Sequence, residues 1–180
     1  MSIVHCYFMP MRTLIAGLGN PILGDDGVGW RVAEEFSRRA GIPLGDSQLP
    51  GETDIQPNAI SIERFALSGI ALMERMVGYE RVIIIDSLNT GKYEQGKVVV
   101  FPLDSLADLT YGHTASAHDV SLKNALQLGR QMGAFLPADD DVFVVAIEAE
   151  HVYDFKEELS PVIAAAVPVA VEYVMKLMEL

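Results

Sequence analysis

The stretch Arg81-Val82-Ile83-Ile84-Ile85-Asp86 gives the clearest indication of the fold. Its apolar residues are continuous and β-branched, a pattern typical of a parallel strand that is buried on both faces. Such a strand lies inside a sheet that has helices packed above and below it. The stretch therefore predicts a central strand of an α/β protein, with Asp86 at the carboxyl end of that strand.

The segments on either side of this run alternate between strand and helix. Short apolar runs bounded by glycine, proline or polar residues predict further strands at Arg12–Leu18, Ala59–Phe65, Lys97–Phe101 and Asp141–Ile147. Helical spacing and helix-start signals predict helices at Val28–Ala40, Gly69–Val77, from the Ser116–Asp119 capping box to about Met132, and from the Ser160-Pro161 pair to about Leu177 with a kink at Pro168. This order predicts a three-layer α/β/α sandwich around a mostly parallel, twisted sheet of about five strands.

Length and composition fit one folded domain. The chain has 180 residues, of which 50% are hydrophobic, and its formal net charge is −12. This content excludes intrinsic disorder, and the negative charge argues against a nucleic-acid or anionic membrane partner. We expect a single domain over residues 11–180 and an N-terminal extension at residues 1–10, which holds the one cysteine, Cys6, as a bystander. No apolar run approaches the roughly 18 residues of a membrane span and no signal peptide is evident, so a cytoplasmic location is expected.

Polar residues fall where the predicted strands end. Open parallel sheets bind ligands at the carboxyl ends of their strands. Asp25 and Asp26 follow the first strand, and Asp86 ends the third. His118 lies in the first turn of a predicted helix, and Glu148 follows the fifth strand. Carboxylates and an imidazole suit Ni(II), Zn(II), Co(II) or Mn(II), so this edge of the sheet is a candidate metal site.

Most of these residues also have a purely structural interpretation. Asp25 is expected to cap a helix, and Glu148 either lines the cleft or pairs with a loop. His118 is equally well explained as a packed or solvated side chain, and His113 is an alternative ligand. Trp30, on the apolar face of its helix, is expected in the core.

Two other ligand classes fit the sequence less well. The pair Gly17-x-Gly19 begins a dinucleotide-binding pattern, but Ile22 stands where that pattern needs glycine or alanine. The run Asp139-Asp140-Asp141 lacks the spaced oxygen ligands and the glycine of a calcium loop, so a solvated turn is expected. Gly29 is expected to allow tight packing between the first loop and the first helix.

Several segments, taken in order, resemble the motifs of the hydrogenase maturation proteases, the endopeptidases that trim the large subunit of nickel–iron hydrogenases. They are Gly17–Gly29, Val82–Asp86, Ser116–Leu122, Ala146–Glu148 and Leu159–Val162. The resemblance implies a three-layer α/β/α fold. It also implies that Asp26, Asp86 and His118 are the metal-contacting, catalytic triad.

The substrate that this resemblance implies is a hydrogenase large-subunit precursor already loaded with nickel. The family removes a C-terminal extension just past the nickel-binding cysteine motif, so the nickel carried by the substrate is the recognition mark. The sequence has no Gly-x-Ser-x-Gly elbow and no His-Glu-x-x-His pair. Cleavage would then depend on water attack assisted by the metal or by a carboxylate.

Two departures from the family bear on substrate choice. Phe65–Gly69 stands where many members carry a Gly-Gly-Thr-x-Gly-like segment, and only the last glycine matches. The loop Gly41–Asn58 is also long. Separately, Asp26 is one methylene shorter than the glutamate that some members use, which would alter its reach to the metal. The particular hydrogenase therefore stays open.

Two rival functions remain at this point. A non-enzymatic assembly chaperone would dock on a nickel-loaded partner through the same triad without cutting it. Gly17–Pro21 also resembles the start of peptidyl-tRNA hydrolases, but that function needs a basic surface and a histidine soon after the motif. The net charge of −12 and the gap from His5 to His113 disfavour it.

Overall fold

The computed structural model describes residues 11–45, 59–105, 117–150, 152–153 and 155–179, and of residues 117–121 it gives the helical backbone alone. The strands are β1 (Thr13–Leu18), β2 (Ile60–Phe65), β3 (Arg81–Leu88), β4 (Val98–Pro102) and β5 (Val142–Glu148). The helices are α1 (Val28–Ala40), α2 (Gly69–Met76), α3 (Ala117–Gln131) and α4 (Pro161–Met178). All the predicted strands and helices are therefore present, close to their predicted ends.

The sheet has the order β2-β1-β3-β5-β4. All neighbouring strands run parallel except β4, which pairs antiparallel with β5 at one edge. The prediction of a central strand at Arg81–Ile85 is confirmed, since β3 pairs with β1 on one side and β5 on the other. However, β3 does not end at Asp86: pairing continues to Leu88, which lies opposite Glu148. Asp86 is thus held inside the strand, in register with Ala146.

Helices cover both faces of the sheet, which confirms the α/β class. One apolar core lies between the sheet and helices α1 and α4, and the other between the sheet and helices α2 and α3. Gly29 lets α1 approach the sheet, because a Cβ atom there would collide with the carbonyl oxygens of Leu18 and Ile85. Tight packing at Gly29 is therefore present, but it joins α1 to β1 and β3 and not to the first loop.

The prediction that Trp30 lies in the core is wrong. Its side chain is only half-buried. The indole Nε1–H donates to the carbonyl oxygen of Phe65 at 3.1 Å, and the Arg64 guanidinium lies 5.0 Å from the ring centre. Trp30 therefore packs over the end of β2, at the edge of the helix layer that contains α1.

Helix α4 begins as predicted, with Ser160 at the N-cap and Pro161 in the first turn, and it continues through Pro168. Within the described ranges it is also the one helix whose length and composition would allow it to cross a membrane, although Glu172 and Lys176 interrupt its apolar run. One side of α4 is buried in the core against the sheet and α1, as expected for a core helix of a globular protein.

Several predictions fall outside the described residues. These are the N-terminal extension at residues 1–10 with Cys6, most of the loop after α1, His113 and the Ser116 N-cap. The solvated turn at Asp139–Asp141 is described and confirmed: it is a short 3-10 turn with no buried residue.

Candidate functional site

A cavity of about 610 Å³ lies toward the carboxyl ends of β1 and β3, on the face of the sheet that α2 and α3 cover. Its inner wall is apolar, with contributions from Ile84, Phe101, Leu122 and Val144. Its other side is formed by the loop after β1 and the end of β3. Among the described residues that line the cavity, only Asp26 and Asp86 carry a charge.

Asp26 is positioned by the short 3-10 turn Gly24–Gly27 that joins β1 to α1. Its Oδ2 accepts a hydrogen bond from the backbone N–H of Asn20 at 2.7 Å. Gly19 has a φ of 122°, and a Cβ atom there would collide with the carbonyl oxygen of Asp26. A glycine is therefore required for the loop to close around this carboxylate.

Asp86 faces the same cavity from β3. Its Oδ1 accepts the backbone N–H of Ser87 at 2.8 Å, and the hydroxyl of Ser87 lies 3.2 Å from Oδ1 of Asp26, to which it donates. One serine therefore links both carboxylates. Ser87 was not among the residues expected at the site, although its place directly after Asp86 was a usable signal.

The structure describes the side chains of two of the three predicted triad residues. Asp26 and Asp86 line one cavity, whereas the side chain of His118 lies outside the described residues; its backbone is in the first turn of α3. Within the described ranges, no group of three or more His, Cys, Asp or Glu side chains is placed to hold a metal ion. The joint role of Asp26, Asp86 and His118 stays a prediction.

Asp25, next to Asp26, has a different environment. It is fully buried, and its Oδ1 accepts the backbone N–H of Ser160 at 2.6 Å. The other carboxylate oxygen and the Ser160 hydroxyl are both buried without a hydrogen-bond partner. Asp25 therefore caps a helix, but that helix is α4 and not α1, the helix that follows it, which has no side-chain cap.

Glu148 pairs with a loop. It is buried, and it accepts hydrogen bonds from the backbone N–H and the hydroxyl of Thr90, both at 2.8 Å, and from the N–H of Gly91 at 2.7 Å. These bonds fasten the loop after β3 to the end of β5. Of the two interpretations left open for Glu148, the structure supports the pairing with a loop.

The segment that departs from the family pattern borders the cavity. Ala66, Leu67 and Ser68 line it between β2 and α2, and Tyr153 lines it from the loop that precedes α4. The sequence alone did not place Tyr153 near the site, because the contact joins segments distant in the chain.

Comparison with known proteins supports the same family. Residues 67–177 match the HycI family model, described as hydrogenase maturation protease. The hydrogenase expression/formation protein HupD of Bradyrhizobium diazoefficiens is 25% identical over 122 residues, which span 68% of this chain and 56% of the relative. The chain thus aligns with little more than half the length of that relative.

Solved structures share the fold along most of the chain. The [NiFe] hydrogenase maturation protease HybD from Thermococcus kodakarensis is 26% identical, with a TM-score of 0.63 over 93% of this chain and 99% of that one. The hydrogenase maturating endopeptidase HybD from E. coli has a TM-score of 0.68 at 22% identity, over 94% of this chain and 93% of that one. Because the family match at residues 67–177 covers more than half of the chain, the chain belongs to the hydrogenase maturation protease family.

Proposed function

We propose that the chain is an endopeptidase that removes the C-terminal extension of a nickel-loaded hydrogenase large-subunit precursor. Asp26, Asp86 and His118 contact the nickel that the substrate carries. The observation that carries this proposal is that Asp26 and Asp86 line one cavity and are linked by Ser87. Family membership supports the reaction class.

The charge of the cavity supports recognition of a cation. Its charged groups, among the described lining residues, are the carboxylates of Asp26 and Asp86. Both carboxylates already accept hydrogen bonds that fix their orientation, from Asn20 and Ser87. Metal-ligating carboxylates are commonly oriented by such outer hydrogen bonds, and oxygen and imidazole donors suit Ni(II).

The cut itself requires water to add to a peptide carbonyl. The water oxygen bonds to the carbonyl carbon, the C–N bond breaks, and the proton released by the water ends on the departing amine. A carboxylate of the Asp26–Asp86 pair can carry that proton, as general bases do in hydrolysis. The apolar inner wall of the cavity limits competing water around the bond.

The direct test is to incubate the protein with nickel-loaded and nickel-free precursor and to measure the mass of the precursor's C-terminal part. We expect loss of the extension from the nickel-loaded form alone. Asp26→Asn, Asp86→Asn and His118→Ala should each lower the rate of cleavage at least about 100-fold, since each removes a group that contacts the metal.

Asp140→Asn is the matched control, because Asp140 is an exposed acid in the turn before β5. This variant should cleave the precursor as fast as the wild type does. Equal cleavage of nickel-free precursor would contradict nickel recognition. Binding of the nickel-loaded precursor without any cleavage would instead support the assembly-chaperone function.

A further inference from the structure

Three large apolar side chains are exposed beside the cavity. Tyr153 is 82% exposed, Phe155 86% and Ile22 49%. Tyr153 and Phe155 are the most exposed of the large apolar side chains in the described part of the chain. We call these three residues the rim patch.

Backbone hydrogen bonds join the segments that carry Ile22 and Phe155. The N–H of Lys156 donates to the carbonyl of Ile22 at 3.2 Å, and the N–H of Gly24 donates to the carbonyl of Lys156 at 2.7 Å. These bonds form an isolated parallel bridge between Leu23 and Lys156, and Ile22 and Phe155 are the residues directly before it in the two segments. Leu23 itself lines the cavity.

The same segment continues into the turn that holds Asp26. Tyr153 both lines the cavity and exposes most of its ring to solvent. Tyr153 therefore belongs both to the cavity wall and to the rim patch, and Ile22 directly precedes Leu23 of the cavity wall. Exposed aromatic residues grouped in this way are typical of protein–protein contact surfaces.

We propose that Ile22, Tyr153 and Phe155 dock the folded body of the precursor whose C-terminal extension enters the cavity. This inference rests on the proposed function, since it supplies the contact that holds the substrate protein while its end is cut. An apolar patch on the precursor, next to the base of its extension, is the occupant.

A second copy of the chain fits this surface poorly. It would cover the mouth of the cavity, and each copy carries a net charge of −12. The rim patch offers roughly 400 Å² of apolar surface on the usual areas of such side chains. That is well below the roughly 1,000 Å² of a stable interface, but it suits one part of a transient enzyme–substrate contact.

The test compares Phe155→Ser with wild type on the nickel-loaded precursor. We expect KM to rise at least about tenfold with little change in kcat, as for an exposed aromatic anchor of an interface, and Phe155→Trp to restore the wild-type KM. Met132→Ser is the matched control, because Met132 is 78% exposed. It follows α3 at the end of the sheet where β1 and β3 begin, which is the end away from the cavity. Tyr153→Ser should raise KM in the same direction.

An unchanged KM in Phe155→Ser, with cleavage intact, would overturn the docking surface and leave the proposed function standing. If wild type does not cleave the precursor at all, the proposed function fails. The docking surface is then tested by comparing the affinity of wild type and of Phe155→Ser for the precursor. A wild-type dimer that Phe155→Ser converts to a monomer would assign the patch to a second copy instead. Sedimentation of both proteins distinguishes these cases.

Discussion

Asp25 accepts a hydrogen bond from the backbone N–H of Ser160, 135 residues further along the chain, at an O···N distance of 2.6 Å. Ser160 is the N-cap of α4, so a carboxylate from the loop after β1 caps the last helix. Because Asp25 is followed directly by Asp26, this bond also fastens the segment that carries the candidate metal-contacting carboxylate. This hydrogen bond therefore links the start of α4 to the turn that positions Asp26.

The first prediction concerns this coupling. Asp25→Ala should lower the free energy of unfolding by about 1–3 kcal/mol, because the half-buried N–H of Ser160 loses its acceptor. That corresponds to a fall in Tm of roughly 2–4 °C for each kcal/mol in a chain of this size. Urea unfolding measures the change. Asp25→Asn keeps an oxygen acceptor and should lose less, and a wild-type stability in Asp25→Ala would refute the cap.

The second prediction concerns the packing of α1 on the sheet. Gly29→Ala places a Cβ atom against the carbonyl oxygens of Leu18 and Ile85, so helix and sheet must move apart. We expect a loss of about 3 kcal/mol in unfolding free energy. Gly41→Ala is the comparison: it has a φ of 69° and open space around it, so only the backbone strain of about 1 kcal/mol applies. Equal losses in both variants would show that close packing at Gly29 is unimportant.

The third prediction concerns Ser87, which acts by positioning the two carboxylates. Ser87→Ala removes the hydroxyl that donates to Asp26 but keeps the backbone N–H that donates to Asp86. We expect kcat for nickel-loaded precursor to fall about tenfold or more, with KM nearly unchanged. Ser87→Thr retains a hydroxyl and should recover most of the activity. A fall in stability that fully accounts for the lost activity would argue for a merely structural role.

The fold was predictable because its signals are local. The β-branched run at Arg81–Ile85 and the helical spacing at Val28–Ala40 each specify an element without reference to the rest of the chain. The direction of β4 was not predictable in this way, because composition does not say whether a strand runs parallel to its neighbour. The extension of β3 to Leu88 depends likewise on pairing with β5.

The candidate site was predictable to the extent that topology dictates it. The carboxyl ends of parallel strands meet at one edge, which placed Asp26 and Asp86 together. The environments of Asp25 and Glu148 depend on partners 135 and 58 residues away, so neighbouring sequence left those roles open. Trp30 was misplaced for a related reason, since its partners are also distant in the chain. Its indole donates to Phe65 and packs against Arg64 at the end of β2.

The last prediction concerns Glu63, a buried carboxyl on β2. Burial raises the pKa of Glu63 above its ordinary value of 4.5, and the charge of Arg75 offsets part of that rise. The folded protein therefore holds this proton more tightly than the unfolded chain does. The contribution of Glu63 to stability is fully present below pH 4.5 and declines as the pH rises through the folded-state pKa.

Urea unfolding of wild type, Glu63→Gln and Glu35→Gln from about pH 2 to about pH 8 measures this decline, because the titrating groups that two proteins share cancel in their difference. Wild type should lose stability relative to Glu63→Gln as the pH rises. Glu35 provides the control of opposite sign: hydrogen bonds from Arg38 and Arg39 lower the pKa of Glu35 to about 2. Wild type should lose stability relative to Glu35→Gln only as the pH falls below 4.5. A Glu63 difference that does not vary with pH would mean that the carboxyl is hydrated in solution, because burial is what separates its folded and unfolded pKa values.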